Sequence, residues 1–243
     1  MSFTRYAVYY TPPPGALAEF GASWLGWDIW AGRPVAHPRV CALPNPVARI
    51  TETPRRYGFH ATLKPPFRLA PGATEDTLYA ALSALCSETE PVLLQGLELR
   101  QIGSFLALVP MGDTEPLNRL AANIVRGIDR YRAPLDEAEL ARRRATGLTP
   151  RQEAQLVKWG YPYVMEEFRF HMTLTGPLGA AELDVLRPTL APMLLRLLPA
   201  ALRISDATLV GEDASGKFHA LHRCALTGHP SPCPAATVQH LKA

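Results

Sequence analysis

The feature that most constrains this chain is a five-residue string that occurs twice. It reads FHATL at residues 59–63 and FHMTL at residues 170–174, and proline follows each copy within four residues. With 7 histidines and 17 threonines among 243 residues, about 0.5 His-x-Thr triplets are expected by chance. Requiring Phe before the triplet and Leu after it lowers this expectation to about 0.002 per chain. Two copies in matching contexts therefore predict an internal duplication.

The elements around the two strings repeat in the same order, which predicts two related lobes. In each half the patterns indicate a motif strand, then a helix, then two further strands. The motif strands are predicted at residues 57–63 and 168–175. The other predicted strands lie at 5–10, 92–101, 104–110, 201–210 and 217–226, and the predicted helices at 14–32, 74–87, 114–131 and 180–198.

One domain is expected over residues 1–227, with a polar helical insertion at 134–163. In the insertion Thr149 is followed by Pro150 and Gln152, a capping box that begins a helix. The sequence of the insertion fits two structures equally well: a lid that covers a cleft, and a pair of helices exposed to solvent. Residues 228–243 are rich in Pro and Ala and are expected to form a loose tail.

Composition limits the kinds of partner and cofactor. The formal net charge of +3 is too weak for a DNA-binding or membrane-binding surface, and no stretch approaches the length of an apolar membrane span. We therefore expect a cytoplasmic protein whose anionic ligands meet a local cluster of side chains. Because His219 and His222 fall on opposite faces of a predicted strand and no other ligand cluster occurs, neither a metal nor another cofactor is expected.

The spacing within each string predicts where its polar groups point. Residues i and i+2 of a strand project from the same face, so His60 lies beside Thr62, and His171 beside Thr173. If the lobes pack with twofold pseudosymmetry, the two pairs converge on one cleft. Two hydroxyl donors and two imidazoles that titrate near neutrality suit a phosphoryl group and proton transfer on either side of phosphorus.

These residues resemble the two-histidine (2H) phosphoesterase superfamily, whose signature is two His-x-Thr/Ser motifs on strands of a duplicated fold. The resemblance covers roughly residues 4–227. It implies an α+β, two-lobed fold in which antiparallel sheets line a central cleft and helices lie outside. The string at residues 57–67, the strand at 5–10 and the insertion are similar to a branch found beside carbon-phosphorus lyase operons and associated with phosphonate metabolism.

The same resemblance implies a metal-independent mechanism. One of His60 and His171 acts as general base and the other as general acid, without an assignment of which is which. Thr62 and Thr173 bind the nonbridging phosphate oxygens.

Several further side chains are candidates for substrate contact because they flank the motifs or the cleft. Lys64 follows the first motif strand, and Arg169 alternates with His171 and shares its face. The remaining candidates are two aromatic and two basic residues: Tyr6, Tyr57, Arg55 and Arg56.

Three functions fit these features. The first is a phosphodiesterase that opens a small cyclic phosphate, such as a sugar 1,2- or 2,3-cyclic phosphate from phosphonate breakdown. The second is an RNA enzyme that acts on 2′,3′-cyclic or 2′,5′-linked ends, for which Arg142, Arg143, Arg144 and Arg151 would supply a basic patch. The third is a noncatalytic protein that binds a phosphorylated metabolite.

Overall fold

A computed structural model describes residues 2–41, 43 and 45–228 of the chain. The first half contains β1 (Arg5–Tyr10), α1 (Ala16–Leu25), β2 (Trp27–Asp28), β3 (Arg33–Pro34), α2 (Val47–Ile50), α3 (Glu52–Arg55), β4 (Ala61–Phe67), α4 (Glu75–Ser87), β5 (Val92–Leu94), β6 (Leu97–Ile102) and β7 (Phe105–Pro110). The second half contains α5 (Glu115–Gly127), α6 (Glu137–Arg144), α7 (Pro150–Trp159), β8 (Met172–Thr173), α8 (Ala180–Leu195), β9 (Leu202–Ile204), β10 (Asp206–Glu212) and β11 (Phe218–Ala225). Short 3₁₀ turns occupy Asp129–Tyr131 and Met165–Glu167.

A seven-stranded antiparallel sheet in the order β11-β10-β1-β4-β8-β7-β6 forms the centre of the molecule. This confirms the predicted α+β class with antiparallel pairing, although both lobes share one continuous sheet. The lobes meet where Ala61 of β4 pairs with Met172 of β8. These are the middle residues of the two His-x-Thr motifs, so the fold places one motif directly beside the other.

The hairpin of each half lies against elements of the other half. The first-half hairpin β6-β7 joins the sheet beside β8, and the second-half hairpin β10-β11 joins it beside β1. The helices show the same exchange between halves: α4 of the first half packs on β10 and β11, and α8 of the second half packs on β6 and β7. Strands β5 and β9 pair with each other in a separate ribbon. Neither half therefore completes its own sheet.

Alternation along β1 separates the two faces of the sheet. Tyr6, Val8 and Tyr10 point into the main core with the helices. Ala7 and Tyr9 point to the opposite face, where a smaller cluster with Trp27, Ile29, Val210 and Phe218 forms. That second face carries the polar residues of both motifs.

The first predicted helix is too long. It ends at Leu25, because Gly26 adopts a left-handed conformation with φ 75° and its N–H donates to the Ala22 carbonyl. Glycine enters this conformation without the steric cost that a side chain imposes. Trp27, Ile29 and Trp30, which extend the apolar pattern of this helix in the sequence, belong instead to the ribbon of β2 and β3 and to the turn between them.

The predicted motif strands have different bounds in the structure. Pairing in β4 begins at Ala61 and continues to Phe67, after a turn in which Gly58 has φ 71°. β8 is only two residues long, because the 3₁₀ turn at Met165–Glu167 delivers the chain to the sheet just before the motif. The predicted strands at 92–101 and 201–210 each divide into a short ribbon strand and a hairpin strand.

Two further predictions concern the insertion and the tail. The capping box is confirmed: the Thr149 hydroxyl accepts from Gln152 N at 3.3 Å, and Gln152 Oε1 accepts from Thr149 N at 3.1 Å. The predicted tail lies, apart from Gly228, outside the described residues. In the part of the chain that is described, every helix is too short or too polar to cross a bilayer.

Candidate active site

A cleft of about 760 Å³ opens on the sheet face that carries the two motifs. His60, Thr62, His171 and Thr173 all line it. The structure therefore brings together the four groups that the strand alternation places on one face. Other lining residues come from β1, β7, the loops before each motif and the insertion: Arg5, Tyr9, Tyr57, Phe105, Arg143, Tyr161, Tyr163, Glu167 and Arg169.

The two imidazoles are anchored in the same way. His60 Nδ1 lies 2.9 Å from the carbonyl oxygen of Gly58, and His171 Nδ1 lies 2.8 Å from that of Arg169. In both cases the partner is the carbonyl two residues earlier. Because a carbonyl only accepts, each Nδ1 carries the proton, and in the neutral ring Nε2 is left with a free electron pair. Each histidine thus presents a proton acceptor at Nε2.

The surroundings of His60 exclude water from one side of its ring. The Tyr9 ring stacks on the imidazole with centroids 3.7 Å apart and planes inclined by 25°, and Tyr57 lies at 6.2 Å. Burial lowers the pKa of His60 to about 4, and the charge of His171 acts in the same direction. Desolvation penalises the imidazolium. His60 is therefore neutral at physiological pH.

His171 has different aromatic neighbours. Its side chain is half-buried, like that of His60, but no ring stacks on it among the described residues. The nearest aromatic ring is Phe105, with centroids 5.9 Å apart and planes inclined by 48°, which is a tilted contact.

The two threonines also differ. Thr62 Oγ1 lies 3.1 Å from His60 Nε2; since Nδ1 holds the ring proton, the hydroxyl donates this bond. Thr173 sits in the cleft wall, where its backbone pairs with Ala107 of β7. Two hydroxyls and two imidazoles therefore surround a space that a tetrahedral oxyanion can fill.

The insertion forms one wall of the cleft. Arg143 of α6 reaches the cavity, as do Tyr161 and Tyr163 from the segment after α7. The Arg143 guanidinium lies over the Tyr161 ring, 4.9 Å from its centroid. The neighbouring Arg144 instead pairs with Glu153 at 2.7 Å. The insertion is thus more than a solvated helix pair.

Two other predicted residues line the cleft. Tyr57 lies between His60 and Phe218, and Arg169 uses Nη1 to donate to the carbonyls of Glu166 and Phe168. Arg169 thus braces the turn before the second motif while its side chain faces the cavity.

Lys64 does not face the cleft. Its ammonium is buried, donates to the Val125 carbonyl and the Asp129 carboxylate, both at 3.1 Å, and lies 5.3 Å from the Phe67 ring centroid. The pairing of β1 with β4 shifts by one residue between Thr62 and Lys64. This bulge turns Lys64 away from the face that strict alternation assigns to it.

Three more candidates also lie outside the cleft lining. The hydroxyl of Tyr6 donates to Glu75 at 3.0 Å on the helical face of the sheet. Arg55 is bound to backbone carbonyls of Leu25 and Ala48. Arg56 lies beside Tyr57, with its guanidinium 5.8 Å from the ring centroid. The predicted separation of His219 and His222 holds, since His219 bonds Asp213 and His222 stacks on Tyr79.

Sequence reasoning missed several residues of the cleft. Tyr9 lies on the predicted strand at 5–10. Strand alternation places it with Ala7 on the face opposite Tyr6, Val8 and Tyr10, and this is the signal that could have found it. Arg5 holds Glu212 through two nitrogens, with Nη2 donating to Oε1 at 2.7 Å. Nothing in the local sequence indicates that Tyr161 approaches the motifs, since long-range packing decides its position.

Comparisons with known proteins connect the chain to a family and to longer proteins. The profile of a family described as "Protein of unknown function (DUF1045)" matches residues 62–219. A protein of Janthinobacterium sp. (strain Marseille) named "Ribose 1,5-bisphosphate phosphokinase PhnN" is 43% identical over 76% of this chain and 41% of its own length. One of the same name from Laribacter hongkongensis (strain HLHK9) is 38% identical over 74% of this chain and 42% of its own length. The chain thus spans about two fifths of these relatives.

Among solved structures, the chain is similar to E. coli LigT complexed with NADP+, with 16% sequence identity and a TM-score of 0.43 over 93% of this chain and 99% of that one. It is also similar to TT0787 of Thermus thermophilus, with 14% identity and a TM-score of 0.45 over 93% of this chain and 100% of that one. A structure described as a phosphoesterase has 16% identity and a TM-score of 0.44 over 93% of this chain and 99% of that one.

Proposed function

The chain belongs to the DUF1045 family, and from the geometry of its cleft we propose that it is a phosphodiesterase with paired histidines as general base and general acid. The observation that carries this proposal is the convergence of both motifs on one cavity, with each Nδ1 bound to the carbonyl two residues earlier. That arrangement holds both imidazoles in one orientation and leaves each Nε2 available for proton transfer.

We assign His60 as the base in the hydrolytic direction. Stacked on Tyr9 and neutral, it accepts a proton at Nε2 from an attacking water. The water oxygen forms a new bond to phosphorus, and the bond from phosphorus to the leaving oxygen breaks. His171 enters this step as the imidazolium, and its Nε2 donates the proton to the leaving oxygen. The step leaves His60 protonated and His171 neutral, and proton exchange with solvent restores both. The product is a phosphomonoester with a free hydroxyl, and both protons are accounted for.

Thr62 and Thr173 bind the nonbridging oxygens in this mechanism. In the structure the Thr62 hydroxyl donates to His60 Nε2. When substrate binds, this hydroxyl turns toward phosphate and frees the His60 electron pair for the water. Two hydroxyl donors aimed at the developing charge stabilise the transition state.

For the substrate we propose a ribose that carries a cyclic phosphate, in the context of phosphonate breakdown. Two relatives bear a name that refers to ribose 1,5-bisphosphate, and opening a cyclic ribose phosphate yields a ribose phosphomonoester of the kind such a name describes. The expected cytoplasmic location and the absence of DNA and membrane partners stay predictions.

The test is phosphomonoester formation from ribose 1,2-cyclic phosphates, nucleoside 2′,3′-cyclic phosphates and short RNA ends, measured with EDTA present. Wild type is compared with His60→Ala and His171→Ala, and thermal unfolding checks that each variant folds. We expect turnover in EDTA with the ribose cyclic phosphates as best substrates, and its loss in both variants. Preference for RNA ends would favour the RNA enzyme. Ligand-dependent stabilisation without turnover of any substrate would favour the binding protein.

A further inference from the structure

Arg143 lies outside both motifs, and its side chain forms no hydrogen bond or ion pair with the described residues. Its Nε is buried without a hydrogen-bond partner among the described residues. Within those residues no carboxylate forms an ion pair with its guanidinium. Glu139, one turn earlier on α6, is held by Arg68, whose Nη2 lies 2.7 Å from Oε2. A half-buried guanidinium without an acceptor is costly unless a ligand supplies one.

The other charged groups in the cleft lining are already engaged. Arg5 holds Glu212, and Arg169 donates to two backbone carbonyls. Glu167 accepts from Gln152 at 3.1 Å and lies 3.9 Å from the Arg151 guanidinium. Arg143 differs from these three residues because its side chain forms no hydrogen bond or ion pair with the described residues, and its Nε is buried.

The chemistry around Arg143 favours a dianionic group. Burial lowers the pKa of Arg143, and the like charges of Arg142 and Arg5 act in the same direction, whereas Tyr161 and the Glu139 carboxylate act in the opposite direction. An incoming anion offsets the desolvation of the guanidinium. Burial also raises the pKa of Tyr161, which keeps the phenol protonated and able to donate. A planar guanidinium beside a phenol donor matches the oxygens of a phosphate monoester.

The cleft has room for a second group. Its volume of about 760 Å³ lies in the range that encloses ligands larger than a single phosphate. Thr62 and Thr173 lie on β4 and β8, and His60 and His171 lie just before these strands, whereas Arg143 and Tyr161 belong to the insertion.

We propose that Arg143 and Tyr161 form a subsite for a second phosphate of the substrate, separate from the phosphate cleaved at the two motifs. This rests on the proposed function, and it narrows the substrate to cyclic sugar phosphates that also carry a phosphate monoester. The insertion thereby determines specificity while the sheet provides the chemistry.

The experiment uses two matched substrates, a ribose 1,2-cyclic phosphate with and without a phosphate on the 5-hydroxyl. Wild type is expected to prefer the 5-phosphorylated form by about 10- to 100-fold in kcat/KM, the range of one or two charge-assisted hydrogen bonds. Arg143→Gln should reduce this ratio toward one. Arg142→Gln, which removes the exposed neighbouring charge, is the matched control and should keep the wild-type ratio. A ratio near one in wild type, or an unchanged ratio in Arg143→Gln, would overturn the proposal.

A second measurement separates failure of the subsite from failure of the proposed function. If wild type turns over neither substrate, the proposed function fails, and ribose 5-phosphate binding is measured by calorimetry with the same three proteins. At least tenfold weaker binding by Arg143→Gln than by wild type and Arg142→Gln supports the subsite. Equal binding by all three, or none by wild type, refutes it.

Discussion

The two copies of the motif share their sequence and the hydrogen bond that orients each histidine, and they differ in what lies around them. At the first motif, Tyr9 stacks on His60 at 3.7 Å and Thr62 bonds to its Nε2. At the second, the Phe105 ring is tilted by 48° against His171, with centroids 5.9 Å apart. The repeated motif thus sets the orientation of each histidine, whereas residues of neighbouring strands set what surrounds it.

This difference suits a reaction in which two imidazoles do opposite things. A base has to be unprotonated before it acts and an acid has to be protonated, so identical environments would place both histidines in the same state. Desolvation beside Tyr9 favours the neutral form of His60, which suits the proposed role of this residue as the base.

The largest expected effect comes from removing either imidazole. We expect His60→Gln and His171→Gln each to lower kcat/KM by about 10²- to 10⁴-fold. Since His60 must be neutral, and its pKa is lowered to about 4, wild-type activity should fall as pH decreases through that region. The residual activity of His60→Gln should lose this acid limb and that of His171→Gln should keep it, as kcat/KM measurements from pH 3.5 to 9.5 would show. Loss of the acid limb in His171→Gln and its retention in His60→Gln would reverse the assignment of base and acid.

A smaller effect is expected from the residues that follow each motif. Lys64 and Thr175 occupy equivalent positions, and both are buried, but Lys64 binds Asp129 whereas the Thr175 hydroxyl accepts from Leu106 N at 3.0 Å. We expect Lys64→Met to lower the free energy of unfolding by about 2–3 kcal/mol because it removes a buried ion pair. Thr175→Val should cost about 1 kcal/mol, the contribution of one hydrogen bond. Urea unfolding at neutral pH measures both.

The Lys64→Met variant also tests whether Lys64 binds substrate. Because its ammonium points away from the cleft, kcat/KM per folded Lys64→Met molecule should stay within about threefold of wild type. A 100-fold loss of activity with undiminished stability would instead support the role that strand alternation predicts for this residue.

The smallest effect concerns the aromatic neighbours. Tyr9→Leu opens one face of His60 to water, so the pKa of His60 should rise toward its ordinary value and the acid limb of kcat/KM should move up by about one pH unit. Tyr9→Phe keeps the stacking ring and should leave the limb near its wild-type position. Phe105→Leu, beside His171, should not move the acid limb. A shift that is equal in Tyr9→Leu and Phe105→Leu would show that the two motifs are not environmentally distinct.

Much of the site could be predicted from the sequence because it depends on local rules. Alternation places His60 with Thr62 and His171 with Thr173 whatever the fold around them. Repetition of the pattern predicts that the pairs meet, and the pairing of Ala61 with Met172 is the contact by which they do so.

Other features depend on interactions between distant segments. Strict alternation predicts the wrong sheet face for Lys64, because a one-residue bulge shifts the pairing of β4 with β1. This bulge depends on β1, a strand that lies far earlier in the chain. The pKa of His60 depends on Tyr9, and the cleft wall depends on how α6 and α7 pack. The first helix is overextended because Trp27 and Ile29 continue its apolar stripe, although they belong to the cluster on the motif face of the sheet.

The exchange of hairpins between the halves bears on how such a catalyst can arise. A polypeptide with only one half would leave its sheet open, and two identical copies would have to lend each other their hairpins in a symmetric dimer. In that dimer any substitution would change both histidines alike, so no mutation could place a stacking ring on one and not on the other. Joining the copies in one chain removes this constraint, since each position then mutates alone. The difference between the surroundings of His60 and His171 is, in this sense, a product of broken symmetry.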